Sequence, residues 1–482
     1  MVAIVANAQI TNPSEDNLFR EFEVTEIRVT MTAQNKSTLL AEENRYEEIY
    51  VPADLVIKNS QLNYVNVLNV GVRLRGNTAR QHNKRSYKID FRQYGGLKFE
   101  GQKKINLKPN VNDPTMVREL ISMHLFRKMG VPALRVAPAE LYINDEYMGS
   151  YLITEQIDDE FVDIRYGHEE GFLYKCSYGA SLINDGQVYD ANLYSSTMNE
   201  EFDTRAELSQ FVNILNNTTP IGLPTVLPNY FDVSTYLRQL AVESLIGHWD
   251  GYSFNKNNFY LYYNGQTGLM NFIPYDADNT WGIDWIGGDW ANYDVESFYH
   301  PSENRPLTKK LLSVPAYKEA YIRNIGILLQ AYFNEDYLHP MFNQLETLLS
   351  PGVQSDTYFD DSFGFSYSFF QSSFDYGTSL HVKYGLRGYL STRINNTLDY
   401  VLNASRHSTM SIYPNPSSES SFVLSNFLGE DLNLEIFDIN GRRVRFNVER
   451  IGINDWRITL SDQTFGMYLI KHNETTIKWI YR

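Results

Sequence analysis

The chain has almost no cysteine: a single residue, Cys176, in 482. An intrachain disulfide is excluded, and with it a disulfide scaffold. Export is not excluded, because a chain this long builds a core without bridges. Long apolar runs are missing too. No stretch reaches about 18 apolar residues, so nothing reads as a membrane-spanning helix. Positive charge is in deficit: 42 Lys and Arg against 58 Asp and Glu give a net charge of −16. With no basic stripe to reverse that balance, a nucleic-acid partner is disfavoured. There is no internal repeat and no long low-complexity segment.

What the chain has in excess is tyrosine, 35 residues within an aromatic fraction of 14%. Tyrosine suits half-wet surfaces and binding clefts. The length predicts two to three domains of roughly 150 residues each. The first residues, MVAIVANAQ, join a short apolar run to Ala6-Asn7-Ala8, a cleavage-like A-x-A, but lack a positive leader. Residues 1–19 are therefore read as the remnant of an export signal or a loose terminus.

Residues 20–95 are β-rich, in FEVTEIRVTMT, YVNVLNVGVRLRG and RSYKIDFRQ. A helix is predicted over 113–130, with Asp113 capping, Pro114 in the first turn and Gly130 ending it. AELYINDEYMGSYLITEQID reads as a hairpin turning at Asn144-Asp145. A second amphipathic helix, 233–249, delivers the loop of HWDGYSFNKNNFYLYY; then NFYLYY, NGQTG and LMNFIPYD read as strand, turn and strand. Residues 307–350 and 378–403 read as helical. The core over 20–404 is thus α+β, with strands first and helices later. From 408 to 482 short alternating strands between turn residues predict a small β-sandwich.

Several parts stand in the order that phosphoryl transfer uses. RLRGNTARQHNKRSYKIDF is strand, Gly-containing turn, strand. Arg75 and Asn77, with Gly76 and Thr78, are placed to wrap phosphate oxygens. Lys88 follows in a strand, although an ordinary edge lysine fits that position as well. Glu119, inside the first helix, is the candidate partner of that lysine. The backbone at Glu155 and Gln156, at a strand end, is the candidate adenine contact. Asp250, in His-x-Asp, is the candidate base, with Asn255 or Asn258 as a metal ligand. Asp276 and Asp278, in IPYDADNTWG, supply hard oxygen for Mg²⁺. Taken alone, each has a plainer reading as a solvated charge or a polar turn; the order of the set carries the argument.

These segments, together with INLKPNVNDPTMVREL and GFLYK, resemble the CotH kinase family of atypical, spore-coat-type protein kinases, over roughly residues 60–400. The resemblance implies a kinase-like two-lobed fold, ATP with Mg²⁺, and phosphorylation of Ser or Thr on a protein partner. It matches Asp250 to the catalytic aspartate and Asp276 to the metal aspartate. It matches Asn258 to the metal asparagine better than Asn255, and Lys88 and Glu119 to the nucleotide lysine and its partner. Tyr275 stands where the family has Trp, and Lys175 falls at a matching position of unassigned role.

The C-terminal segment, in YPNPSS, LEIFDINGRRV and FGMYLIK, resembles the sorting domain of type IX secretion. That implies contact with the secretion machinery, then release or attachment at the outer surface. ATP is scarce outside a cell, so an inactive surface adhesin or carbohydrate-associated binding protein on the same fold is the alternative. A hydrolase using Asp276 and Asp278, and a nucleotidyl transferase, are weaker alternatives.

Overall fold

The computed structural model describes residues 10–482 apart from 77, 362, 379, 408–410, 414–419, 426–433, 451–455, 462–464, 473–474 and 482. Residues 1–9 of the expected signal remnant or loose terminus over 1–19, Asn77 and most of YPNPSS lie outside the described residues. The chain forms two compact units, 1–397 and 398–482.

The first unit opens with a closed seven-stranded barrel: β1 (Thr25–Thr30), β2 (Val51–Lys58), β3 (Val65–Arg75), β4 (Ser86–Asp90), β5 (Lys104–Lys108), β6 (Val136–Ile143) and β7 (Glu146–Glu155), in the order β1-β2-β3-β4-β5-β7-β6. All neighbours are antiparallel except β1 and β6. Alternation decides what fills the barrel. Val72, Leu74, Tyr87, Ile89, Ile105 and Leu107 point inward to a core shared with Ile27, Leu55, Leu141 and Ile153. Their neighbours Arg73, Arg75, Lys88 and Lys108 belong to the opposite, outer face. Register puts Arg73 opposite Lys88, and Lys88 opposite the neutral Asn106, so the basic row is staggered, with Lys108 two residues along β5 from that line.

The β6–β7 hairpin turns at Asn144 and Asp145, both with positive φ (51° and 63°), the geometry of a two-residue primed turn. The helix expected from residue 113 is shorter, Arg118–Lys128. Asp113 accepts from the amides of Thr115 and Arg118 instead of capping at Pro114. Met116 sits before that helix at φ 64°.

A second sheet has the order β11-β10-β8-β9, from β8 (Gly171–Cys176), β9 (Tyr194–Met198), β10 (Phe259–Asn264) and β11 (Leu269–Pro274). The unit's longer helices include Ala206–Asn217, Val233–Ile246, Pro315–Ala331, Glu335–Ser355 and the first half of Leu386–His407. The fold of this unit is mixed α+β, with a barrel and then a helical region.

The second unit holds two small antiparallel sheets. One is β12 (Ser411–Tyr413), β13 (Ser421–Ser425), β16 (Trp456–Leu460) and β15 (Phe446–Arg450); the other is β14 (Glu435–Asp438), β17 (Gly466–His472) and β18 (Thr475–Tyr481). Phe422, Leu424 and Ile458 of one meet Ile436, Ile470 and Trp479 of the other in a single core.

Candidate functional site

A cleft of about 550 Å³ opens against the outer wall of β3, β4 and β5. The basic row supplies one side: Arg73, Arg75, Lys88 and Lys108, joined by Lys175 of β8. Asp250, Asp276 and Asp278 supply the other.

Three local devices bring the aspartates there. The Val233–Ile246 helix ends on Gly247 at φ 67°, and the His248 amide turns back onto the Glu243 carbonyl. A Cβ at Gly247 would lie 2.4 Å from the Tyr389 hydroxyl oxygen, so glycine is required there twice over. The chain then presents Asp250. The β10–β11 hairpin pairs Phe259 with Pro274, and the Tyr275 amide bonds the Asn258 carbonyl, so Asn258 and Asp276 emerge at the same end. Both hold left-handed backbone, φ 54° and 50°. Asn and Asp tolerate that conformation better than other residues, and its cost concentrates at functional sites.

Asp250 sits in a ring of amides. Its Oδ1 accepts from Asn255 (2.5 Å) and Asn257 (3.4 Å), and its Oδ2 from Asn258 (3.0 Å) and Asn279 (3.2 Å). Burial raises its pKa, partly offset by those donors. The His248 ring beside it is fully buried, and burial pushes its pKa down to about 4, so it is neutral.

Lys108 is the lysine that Glu119 holds. Its Nζ lies 2.5 Å from Glu119 Oε2 and 2.5 Å from Asp276 Oδ1. Burial alone would lower the lysine pKa, but Asp276 and Glu119 carry it well above normal. Burial leaves Glu119 raised despite Lys108. Asp276 is lowered, because Lys108 and Arg75 outweigh burial; one-third of its side chain is open to the cleft. Asp278 is raised well above normal by burial and by Asp276 beside it.

Lys88 does line the cleft, but no carboxylate pairs with it among the described residues. Burial, then Arg75 and Arg73, push its pKa down to about 7. Arg75 donates to the Tyr275 hydroxyl at 2.6 Å. Asn255 supports Asp250 and is not part of the cleft lining.

Glu155 and Gln156 are placed elsewhere. Glu155 is fully buried and paired with Arg135 (2.7 Å) and Arg165 (2.6 Å), whose charges outweigh burial and hold it down to about 2. Gln156 donates to the Ile157 carbonyl. Neither lines the cleft. Sequence reasoning missed Lys108, Asn257, Asn279 and the cleft face of Lys175. The signal available for Lys108 was the apolar-polar alternation of KINLK, which marks a strand with two outward lysines.

Magnesium suits this oxygen set. Asp278 and Asp276 crowd each other electrostatically, and Asn258 adds a neutral oxygen at the same hairpin end. The three aspartates do not bring their oxygens within 4.8 Å of one another as a closed cage. A compact acidic trio elsewhere, Asp159, Glu160 and Glu169, has Asp159 and Glu160 engaged by Lys103.

A basic row faces aspartates across this cleft, with one lysine shared between two carboxylates. The chain belongs to the CotH kinase protein family, whose model matches residues 72–382. A second model, the secretion system C-terminal sorting domain, matches residues 411–482, and marks the protein for secretion or attachment at the outer surface. Relatives are distant. Inner spore coat protein H of Bacillus subtilis is 26% identical over 299 residues, 60% of this chain and 79% of that protein. From Rhizopus delemar, spore coat protein homolog 1 is 24% identical over 254 residues, 51% of this chain and 41% of its own length. Invasin CotH3 of the same organism is 21% identical over 325 residues, 64% of this chain and 54% of its own length. The chain thus spans about half the length of those two fungal relatives.

Proposed function

We propose that the protein is an exported, Mg²⁺-dependent kinase that transfers the γ-phosphate of ATP to Ser or Thr of a protein partner, on a kinase-like two-lobed fold. The observation that carries this reading is Lys108 held at 2.5 Å from both Glu119 and Asp276, on the wall facing Asp250. Phosphoryl transfer asks a protein mainly for positioning and charge neutralisation. Bound Mg·ATP supplies the transferable phosphoryl group. Lys108, Arg75, Lys88 and Lys175 receive phosphate charge. Asp276, Asp278 and Asn258 would hold the cation, and Asp250 would orient the acceptor hydroxyl. The asparagine ring keeps Asp250 fixed while it accepts that hydroxyl's proton.

The test is a melting curve with and without Mg·ATP, beside γ-phosphate label transfer, for the parent and for Asp276→Ala. Mg·ATP raises the parent's melting temperature and leaves the variant unmoved, and label transfer falls at least about 100-fold. No shift at millimolar ATP sinks the reading. A surface-binding protein without turnover is the second reading. Its support is the likeness to an invasin, CotH3 of Rhizopus delemar, and it predicts no nucleotide response at all.

A further inference from the structure

The β3–β4 connection is tied to the helical region by a buried ion pair. Lys84 Nζ lies 2.5 Å from Asp356 Oδ2, with side chains 2% and 0% exposed. Asp356 directly follows the Glu335–Ser355 helix. Its Oδ2 also accepts the Ser150 amide and its Oδ1 the Tyr358 amide, each at 3.0 Å. The barrel makes room for it: a Cβ at Gly149, which holds φ +109°, would lie 2.2 Å from Asp356 Oδ2. The Lys84 ammonium faces the rings of Tyr151 and Phe359 at 5.4 and 5.6 Å. A second tie runs nearby. The His82 ring lies 5.7 Å from Phe363, which packs 4.7 Å from His381, and His381 Nε2 reaches the Asn112 carbonyl at 2.7 Å.

The position of the tied segment gives the pair its meaning. Ala79 and Arg80, five and four residues before Lys84, line the cleft, and Asn112 lines it from another side. A buried ion pair is rarely worth more to stability than two apolar side chains of similar size, because desolvation consumes the Coulomb gain. It does impose one arrangement, since slippage strands both charges out of water.

We propose that the Lys84–Asp356 pair is a positioning latch: it holds the cleft-facing turn at Ala79–Arg80 in the geometry that receives the donor phosphates, and so makes nucleotide binding depend on where the helical region sets Asp356. The latch rests on the nucleotide reading above. Lys84 and Asp356 are positioning residues and touch no reacting atom.

The test is Lys84→Met/Asp356→Asn, which removes both charges together and keeps an oxygen acceptor for the amides of Ser150 or Tyr358. The melting temperature is expected to stay within about 4 °C of the parent. KM for ATP rises about tenfold while kcat changes less than about threefold, the split of a lost binding geometry. Hydrogen exchange of the amides from 79 to 85 quickens without nucleotide present. His82→Ala, at a half-exposed site, is the milder variant, with about a threefold rise in KM. Parental KM in both variants overturns the latch, whether or not exchange changes, and so does an equal loss of kcat. A parent with no Mg·ATP response overturns the nucleotide reading first, and the positioning role with it; a responsive parent with unaffected variants overturns the latch alone.

Discussion

Two buried carboxylates in this protein, Glu155 and Glu119, meet cations in opposite ways. Glu155 is matched by two arginines: the Arg135 guanidinium donates to Oε1 and Arg165 to both oxygens, and its pKa is held down to about 2. Its charge is neutralised within the fold. Glu119 has half of one lysine, because Lys108 is shared with Asp276, and burial leaves its pKa raised. Lys108, in turn, faces an open cleft where Asp278 is left without a partner strong enough to offset burial. A satisfied network rigidifies; an unsatisfied one at a cavity is arranged for something that arrives. Only the second kind marks a site, even though both look alike as buried charge.

The contrast is broken most forcefully at Glu155. Glu155→Ala leaves Arg135 and Arg165 buried without their counter-charge. It is expected to cost about 3–5 kcal/mol in denaturant unfolding, while any folded fraction still responds to Mg·ATP. Glu119→Gln should do the reverse. Its stability changes by less than about 1 kcal/mol, because the native state already disfavours the charged form, but label transfer falls roughly 10- to 100-fold as Lys108 loses its placement. If Glu119→Gln unfolds the protein and Glu155→Ala does not, the distinction between the two networks is wrong.

The smallest effect sharpens the basic side of the cleft. Lys88 has its pKa depressed to about 7, so it sheds its proton in the native state at mildly alkaline pH and carries it in the unfolded chain. Native stability from this group is therefore lowest below about pH 7 and recovers as pH rises toward the ordinary lysine range. A phosphate placed beside it restores the charge, so Mg·ATP binding at pH 8 should take up close to one proton through Lys88. Calorimetry in buffers of different ionisation enthalpy reads this, and Lys88→Met should abolish the uptake. Uptake unchanged in Lys88→Met would remove Lys88 from the phosphate side of the cleft.

Local signals were legible where local physics decides. Asn144-Asp145 turned a hairpin because both residues tolerate positive φ. The helix carrying Glu243 into Gly247 and the β10–β11 hairpin were legible from period and turn residues, and they carry Asp250, Asn258 and Asp276 to the cleft. What faces a side chain was not legible. Lys88 lines the cleft as its strand position suggested, but Glu119 pairs with Lys108 instead, and the Glu155 side chain turns to Arg135 and Arg165. Lys108 sits one strand further on, in a five-residue strand too short to stand out, and it reaches Glu119 because β5 lies in the row that crosses the barrel wall.

The sequence by itself determined the kinds of parts: a β-rich then helical core, a small β-sandwich, a run of candidate aspartates and lysines, and the families they resemble. Those depend on composition and on periods of two and 3.6, which neighbouring residues fix among themselves. Only the tertiary structure decided which cation belongs to which carboxylate. Pairings such as Lys108 with Asp276 or Lys84 with Asp356 span 168 and 272 residues. They follow from barrel closure, strand register and the burial around each charge, none of which is a property of a short stretch of chain.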